Sequence, residues 1–378
     1  MKKIAIVTRR MIAGGIEKAL ISMIEIIPKN EFEITLFVMA RGGEFEIDIP
    51  EYVRVKCIYG DEKTIKAKII NNIKKLNGIM AIKVPFYIAK SKTAKSIFKQ
   101  EEYLAKIMPI QSERYDVAIA YHTPASFPII YVSKYLKADK KYAWIHSDVE
   151  IYKEEMKKYI SYYSNFNKIY CVSEYAKEKF VGLYPYLCKR TEVFYNIIND
   201  KKLIMLSNKG QGFTDKYDGI NILTVGRLTK QKGYDILPKI VRTLLNEGFD
   251  IRWYCIGDGE LRGQLEEAIK KEGLEERILL LGTIVNPYPY FKTCDIYVQP
   301  SRHEGYCLTL AEAKIFNKPI ITTDFVGARE QIISNKTGLI VDFNERELIN
   351  GIKRILLDRS ICKKFSQELI NEKINKNN

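Results

Sequence analysis

Apolar residues recur along the chain with two periods. Short, nearly unbroken runs, KIAIV (3–7), EITLFVM (33–39), DVAIAYH (116–122), KYAWIH (141–146) and KIYCVS (168–173), have the length and composition of strands buried on both faces. After the first of them, the loop TRRMIAGG gives way to a helical period. Ile16, Ala19, Leu20, Met23, Ile24 and Ile27 share one face, which predicts a helix from about 16 to 27. Alternating strand and helix predict a mainly parallel sheet covered on both sides. The pattern pauses at SNKGQGFTDKYDG (207–219), rich in turn formers, and restarts with NILTVG (221–226), IRWYCIG (251–257), RILLLG (277–282), CDIYVQP (294–300) and PIITTD (319–324). The predicted fold class is α/β, with two Rossmann-like domains, 1–198 and 199–359, facing across a cleft. A C-terminal helix at about 360–378 is expected to be free to pack back on the first. Ligands in such sheets sit at the carboxyl ends of the strands, so the loops there are the places to look for chemistry.

Composition supports this picture. A chain of 378 residues exceeds one ordinary core, and 46% hydrophobic with 28% charged residues is the balance of a folded soluble protein. The opening MKKIAIV is interrupted at Thr8-Arg9-Arg10, so it reads as a first strand and not as a signal core. Nowhere do about eighteen apolar residues follow one another. Seven scattered cysteines without a C-x-x-C, and three histidines without helical pairing, predict reduced thiols, a cytoplasmic setting and no metal site.

The net charge of +15 calls for a partner or for a solvated face. Ten lysines fall between Asp61 and Gln100, and Ile65, Ile69, Ile73 and Leu76 recur among them at helical spacing. Such a segment, 61–100, suits an anionic membrane surface or a polar acceptor, and equally suits plain solvent. No helix-turn-helix, RRM or zinc-finger pattern supports nucleic acid.

The candidate chemistry lies at the predicted strand ends. In TVGRLTKQKG (224–233), Arg227 and Lys232 flank a short loop behind Gly226, where two cations could clamp a diphosphate. In IGDGE (256–260), Gly257 would let a ligand or a neighbouring backbone come close, and Gly14-Gly15 precedes the first helix where amide groups favour an anion. In SRHEGYCLTLAEA (301–313), a helix starting near Cys307 would bury Leu308, Ala311 and Ile315. The amides of Gly305, Tyr306, Cys307 and Leu308 would then face an anion, with Glu304 and Glu312 bordering the apolar stripe. Phosphate would repel these acids, so hydroxyls of a sugar and a ribose are their natural partners. A buried Glu–Arg pair is the alternative. His146 at a strand end reads by itself as a core histidine.

Taken together, E-G-Y-C-L-x3-E-A followed by K-P-I-I-T-T-D resembles the signature of the retaining GT-B glycosyltransferases of family four. The G-R-L-x3-K-G at 226–233, Gly14-Gly15, I-H-S-D at 145–148 and F-Y-N-I-I at 194–198 fall in that family's order over nearly the whole chain. The resemblance implies a GT-B fold and catalytic roles for Glu304, His146, Arg227 and Lys232. Arg227 and Lys232 would neutralise the departing diphosphate, Glu304 would hold donor-sugar hydroxyls, Glu312 the ribose, and His146 the sugar's primary hydroxyl. Gly15 would lie near the phosphates and acceptor, while Gly257 and Gly282-Thr283-Ile284 would line the base. Two departures stand out: Cys307 and Asn317 replace glycines, Asn being the next-best residue for a left-handed turn.

No D-x-D occurs, so the expectation is metal-independent transfer with retention and no cofactor. The sugar would pass from a nucleotide-sugar, UDP being the commonest in the family, to a glycan or lipid-linked acceptor of bacterial surface polysaccharide. The enzyme would be cytoplasmic or peripheral on the inner membrane face. A nucleotide-sugar epimerase, a phosphorylase and a non-catalytic membrane-surface module are the alternatives.

Overall fold

The computed structural model describes residues 1–12, 14–58, 78–108, 111–146 and 149–377. The chain divides into two compact units, Met1–Ile197 and Ile198–Asn378. Each is built on its own parallel sheet.

The first unit holds β1 (Lys2–Thr8), β2 (Phe32–Val38), β3 (Arg54–Cys57), β4 (Arg114–Thr123), β5 (Lys137–Ile145), β6 (Lys168–Cys171) and β7 (Thr191–Val193). They lie in the order β3-β2-β1-β4-β5-β6-β7. The apolar runs coincide with the central strands, because a strand covered by helices on both faces has no polar side to alternate with. The edges escaped the pattern: RVKC and TEV are short and polar, as edge strands commonly are. β5 also begins four residues before its apolar run, with the mostly exposed Lys-Ala-Asp-Lys. The first helix is Gly15–Ile26, as its periodicity predicts.

The second unit holds β8 (Ile220–Val225), β9 (Ile251–Ile256), β10 (Ile278–Gly282), β11 (Ile296–Gln299), β12 (Ile320–Thr323) and β13 (Leu339–Val341), ordered β10-β9-β8-β11-β12-β13. Trp253 is fully buried in its core and donates from Nε1 to Thr224 Oγ1 at 2.9 Å, which satisfies its one polar atom. The last helix, Arg359–Asn377, belongs to this unit. Phe365 and Leu369 bury its apolar face, and Lys314–Glu372 (3.2 Å) and Lys336–Glu368 (3.4 Å) bracket it.

The predicted helix through Ile65, Ile69, Ile73 and Leu76 lies outside the described residues. The described part of the basic segment includes the helix Gly78–Lys92, on which Phe86 is 51% exposed and Lys90 Nζ lies 4.7 Å from its ring centre. No helix among the described residues is long and apolar enough to cross a membrane.

Candidate active site

The loop after β8 is forced against the end of β11 by a glycine. Gly233 adopts φ +76°, and a Cβ there would sit 1.8 Å from the Pro300 carbonyl oxygen. No other residue permits both the left-handed backbone and the contact. Further bonds hold the two loops together: Gln231 Nε2 donates to His303 O (3.0 Å), and Arg302 N donates to Gln231 O (2.8 Å). Arg302 also grips Asp235 with two nitrogens at 2.7 and 2.8 Å.

This closure delivers Lys232 to Glu304. Their Nζ–Oε1 separation is 2.5 Å, and both side chains are nearly buried. The aliphatic part of Lys232 runs over Gly226, where a Cβ would stand 3.4 Å from Cδ and Cε. Burial works against the Lys232 charge, but the Glu304 carboxylate outweighs it and holds the lysine pKa above its ordinary value. Glu304 is thus paired with a lysine, where the sequence left an arginine pair open.

Behind Glu304 runs a buried chain of donors that the sequence reading missed. Tyr297 OH (2.5 Å) and Thr309 Oγ1 (3.0 Å) donate to Gln299 Oε1. Gln299 Nε2 donates to Ser301 Oγ (2.8 Å), and Ser301 Oγ donates to Glu304 Oε1 (2.9 Å). Each hydrogen points the same way, toward a carboxylate that only accepts. The available signal was Gln299 and Ser301 interrupting an otherwise apolar strand end, both of them 0% exposed.

Arg227 is exposed and takes part in no side-chain hydrogen bond or ion pair among the described residues. The helix after Glu304 spans Leu308–Ile315. Leu310, Ala311, Glu312, Ala313 and Ile315 are its buried residues; Ala311 and Ile315 are buried as expected, whereas Leu308 is only half-buried and Leu310 is buried in its stead. Cys307 precedes this helix at φ +66°, a left-handed conformation that glycine adopts freely and cysteine does not. Asn317 also turns left-handed, φ +52°, as its identity suggests. The amides of Gly305, Cys307 and Leu308 make no hydrogen bond among the described residues, so this helix start can receive an anion. Gln331 Nε2 donates to Tyr306 O and backs the loop. Glu312, 3% exposed, accepts a 3.0 Å bond from Tyr288 OH.

The other glycines meet at the neighbouring strand ends. A Cβ at Gly257, φ +136°, would stand 2.0 Å from Gly226 O, and Gly257 N donates to Gly282 O at 2.8 Å. Thr283 is exposed and Ile284 half-buried beside them. The predicted residues of the second half therefore gather at the carboxyl ends of β8, β9, β10 and β11.

Gly15 and His146 belong to the first unit. Gly15 opens its helix, and the preceding Gly14 offers no side-chain cap. His146 directly follows β5, 8% exposed, its ring centre 4.3 Å from that of Tyr121. Burial, with His122 adding to it, pushes its pKa down to about 3. Ser147 and Asp148 lie outside the described residues.

Comparison with known proteins fits this geometry. The Anabaena HepE structure in complex with UDP-glucose superposes with a TM-score of 0.71 at 16% identity, covering 98% of this chain and 93% of that one. A variant of S. aureus TarM, solved with UDP, Fondaparinux and alpha-GlcNAc-glycerol, also gives 0.71, at 14% identity over 100% and 97% of the chains. The fold is GT-B. Within this GT-B chain, residues 213–372 match the family described as Glycosyl transferases group 1. A Campylobacter jejuni relative, N-acetylgalactosamine-N,N'-diacetylbacillosaminyl-diphospho-undecaprenol 4-alpha-N-acetylgalactosaminyltransferase, is 31% identical over 182 residues, 48% of each chain. An uncharacterized glycosyltransferase of Methanocaldococcus jannaschii is 30% identical over 254 residues, 62% of each. The chain thus matches between about half and under two thirds of the length of these two relatives.

Proposed function

We propose that this chain is a retaining, metal-independent glycosyltransferase that moves a sugar from a nucleotide-sugar, UDP-linked, to a glycan or lipid-linked acceptor in surface polysaccharide synthesis. One observation carries the reading. Lys232 is held against Glu304 beneath Gly226, beside free amides at Gly305, Cys307 and Leu308 and the unengaged Arg227. Cations and amides there suit a diphosphate, and the acid next to them suits the sugar hydroxyls that adjoin it. UDP in the HepE and TarM structures and the diphospho-undecaprenol substrate in the Campylobacter relative's name support the donor and acceptor classes. Lys83, Phe86 and Lys90 on the helix Gly78–Lys92 support a peripheral position on the inner membrane face.

As the bond between the anomeric carbon and the diphosphate oxygen breaks, negative charge grows on the phosphate. Arg227, Lys232 and the helix amides stabilise it, and preorganised charge of this kind is commonly the largest catalytic contribution. The acceptor oxygen bonds the same face of the sugar, and its proton passes to the leaving phosphate. Glu304 fixes the sugar, Glu312 the ribose, His146 the primary hydroxyl, and the segment by Gly257 and Thr283-Ile284 lines the base.

Radiolabelled sugar transfer from UDP-sugars tests the assignment. Glu304→Ala and Lys232→Ala are expected to lower transfer by about a hundredfold or more, with EDTA leaving the parent rate unchanged. Parent-like transfer by either variant overturns the proposed roles. Because removing one member strands the other in a buried site, at about 3–5 kcal/mol, thermal melts accompany the assay to separate folding from chemistry.

A further inference from the structure

Buried polar atoms without partners collect at one place in the first unit. Thr8 Oγ1, His122 Nδ1 and His146 Nε2 are each shut off from solvent and lack a hydrogen bond. They stand at the carboxyl ends of β1, β4 and β5, which are adjacent in the sheet. Native structures leave few such groups, and a cluster of three calls for a cause. The C-terminal edge of a parallel sheet is also where ligands of α/β folds bind.

A carboxylate completes the group. Glu17, on the first helix and 4% exposed, places Oε1 3.7 Å from His122 Nδ1. That is longer than a hydrogen bond, as is common before a ligand tightens such a pair. Gly14 leaves the space for it, since a Cβ there would fall 2.6 Å from Glu17 Oε2. The His122 side chain is 24% exposed although Nδ1 is buried, so its open part lies away from Glu17. An acid that orients one imidazole nitrogen and leaves the other to a substrate is the acid–histidine arrangement of many sites.

We propose that Glu17 and His122 form a subsite for a neutral hydroxylated group, the sugar acceptor, in which Nδ1–H of His122 faces Glu17 and Nε2 accepts a hydrogen bond from a substrate hydroxyl. Thr8 completes the subsite once the group is bound, and His146, given above to the donor sugar, adjoins it. The assignment to the acceptor rests on the function proposed above; the subsite itself does not.

The chemistry selects the ligand class. Glu17 repels phosphate and carboxylate, and Arg9, whose NH2 pairs with Glu101 at 3.3 Å, disfavours a cation. Two histidines and a glutamate are metal-ligand types, yet no group of three such residues among those described is gathered to hold an ion. Hydroxyls, which donate and accept at once, match neutral imidazoles and a threonine hydroxyl. Burial, with Arg9 adding to it, lowers the His122 pKa to about 4, which keeps the ring neutral near pH 7. A neutral ring with Nε2 open accepts a hydroxyl's hydrogen bond, so His122 is assigned a binding role here.

The chain has only three histidines, so 15N-histidine NMR of the full protein reads the site directly. His303, in the second unit, serves as the internal control. The expected result is an Nδ1–H tautomer for His122, with its Nε2 signal shifting saturably with methyl α-glucopyranoside or methyl α-N-acetylglucosaminide while His303 stays still. Thr8→Val and Glu17→Gln should each weaken the glycosides about tenfold, the loss of roughly one buried hydrogen bond, with native histidine spectra showing the fold intact. An Nε2–H tautomer, no shift of His122 with either glycoside, or unchanged binding by Glu17→Gln overturns the proposal. UDP, added separately, reports on the other reading: UDP binding without glycoside shifts sinks the subsite alone, and glycoside shifts without UDP binding sink the donor site alone.

Discussion

Gly233 and Ser301 show how narrowly Lys232 and Glu304 are placed. Adding a methyl group at Gly233 meets the Pro300 carbonyl in a backbone conformation that L-residues avoid, so neither rotation nor a small shift relieves it. Gly233→Ala is expected to destabilise the second unit by roughly 2 kcal/mol or more and to separate the ion pair, measured by denaturant unfolding and by loss of transfer. Ser301→Ala is the subtler change. It takes one donor from Glu304 and leaves Gln299 Nε2 without its acceptor in a buried site, at a cost of about 1–3 kcal/mol. For a positioning residue, kcat should fall more than KM changes, and Ser301→Thr should restore it; equal losses in both constants with no rescue by threonine would count against that role.

Among elements, the helix Leu308–Ile315 starts from a strained residue. Cys307 at φ +66° occupies a position that glycine would fill without penalty, about 1–2 kcal/mol for an ordinary side chain. Burial, with Glu304 adding to it, raises its thiol pKa to about 11, which disfavours the thiolate. Cys307→Gly should leave the melting temperature equal or slightly higher, whereas Cys307→Val, β-branched at the same angles, should lower it clearly; the reverse order would show that packing, not backbone, governs this residue. The sequence made much of this level legible. Covered central strands leave no polar face, so their runs stood out, and glycines beside charged residues marked the loops that gather around Lys232. What stayed hidden depends on tertiary partners. RVKC, TEV and LIV are edge strands whose pairing, not composition, makes them strands, and Tyr297, Gln299 and Glu17 gain meaning only from what faces them.

For the molecule as a whole, the two units should respond differently to acid. His122 and His146 both lie in the first unit, and burial holds their pKa values near 4 and 3 against an ordinary 6.5. Their neutral forms favour the fold, so this stability is complete above about pH 6.5 and is lost as the pH falls toward those lowered values, by roughly 1.4 kcal/mol per pH unit for each histidine. Glu101, raised by burial, works in the opposite sense. Calorimetry between pH 7 and 5 should show the first unit's transition dropping steeply, with His146→Gln flattening the slope; a slope unaffected by that substitution would place the acid sensitivity elsewhere. The assignment of the last helix to the second unit carries a consequence for the gene. The polypeptide passes from one unit to the other a single time, near Ile197, so each is one continuous stretch of the chain. One crossover at that point could exchange a whole half for another, which gives such a chain a simple route to new pairings of recognition and chemistry.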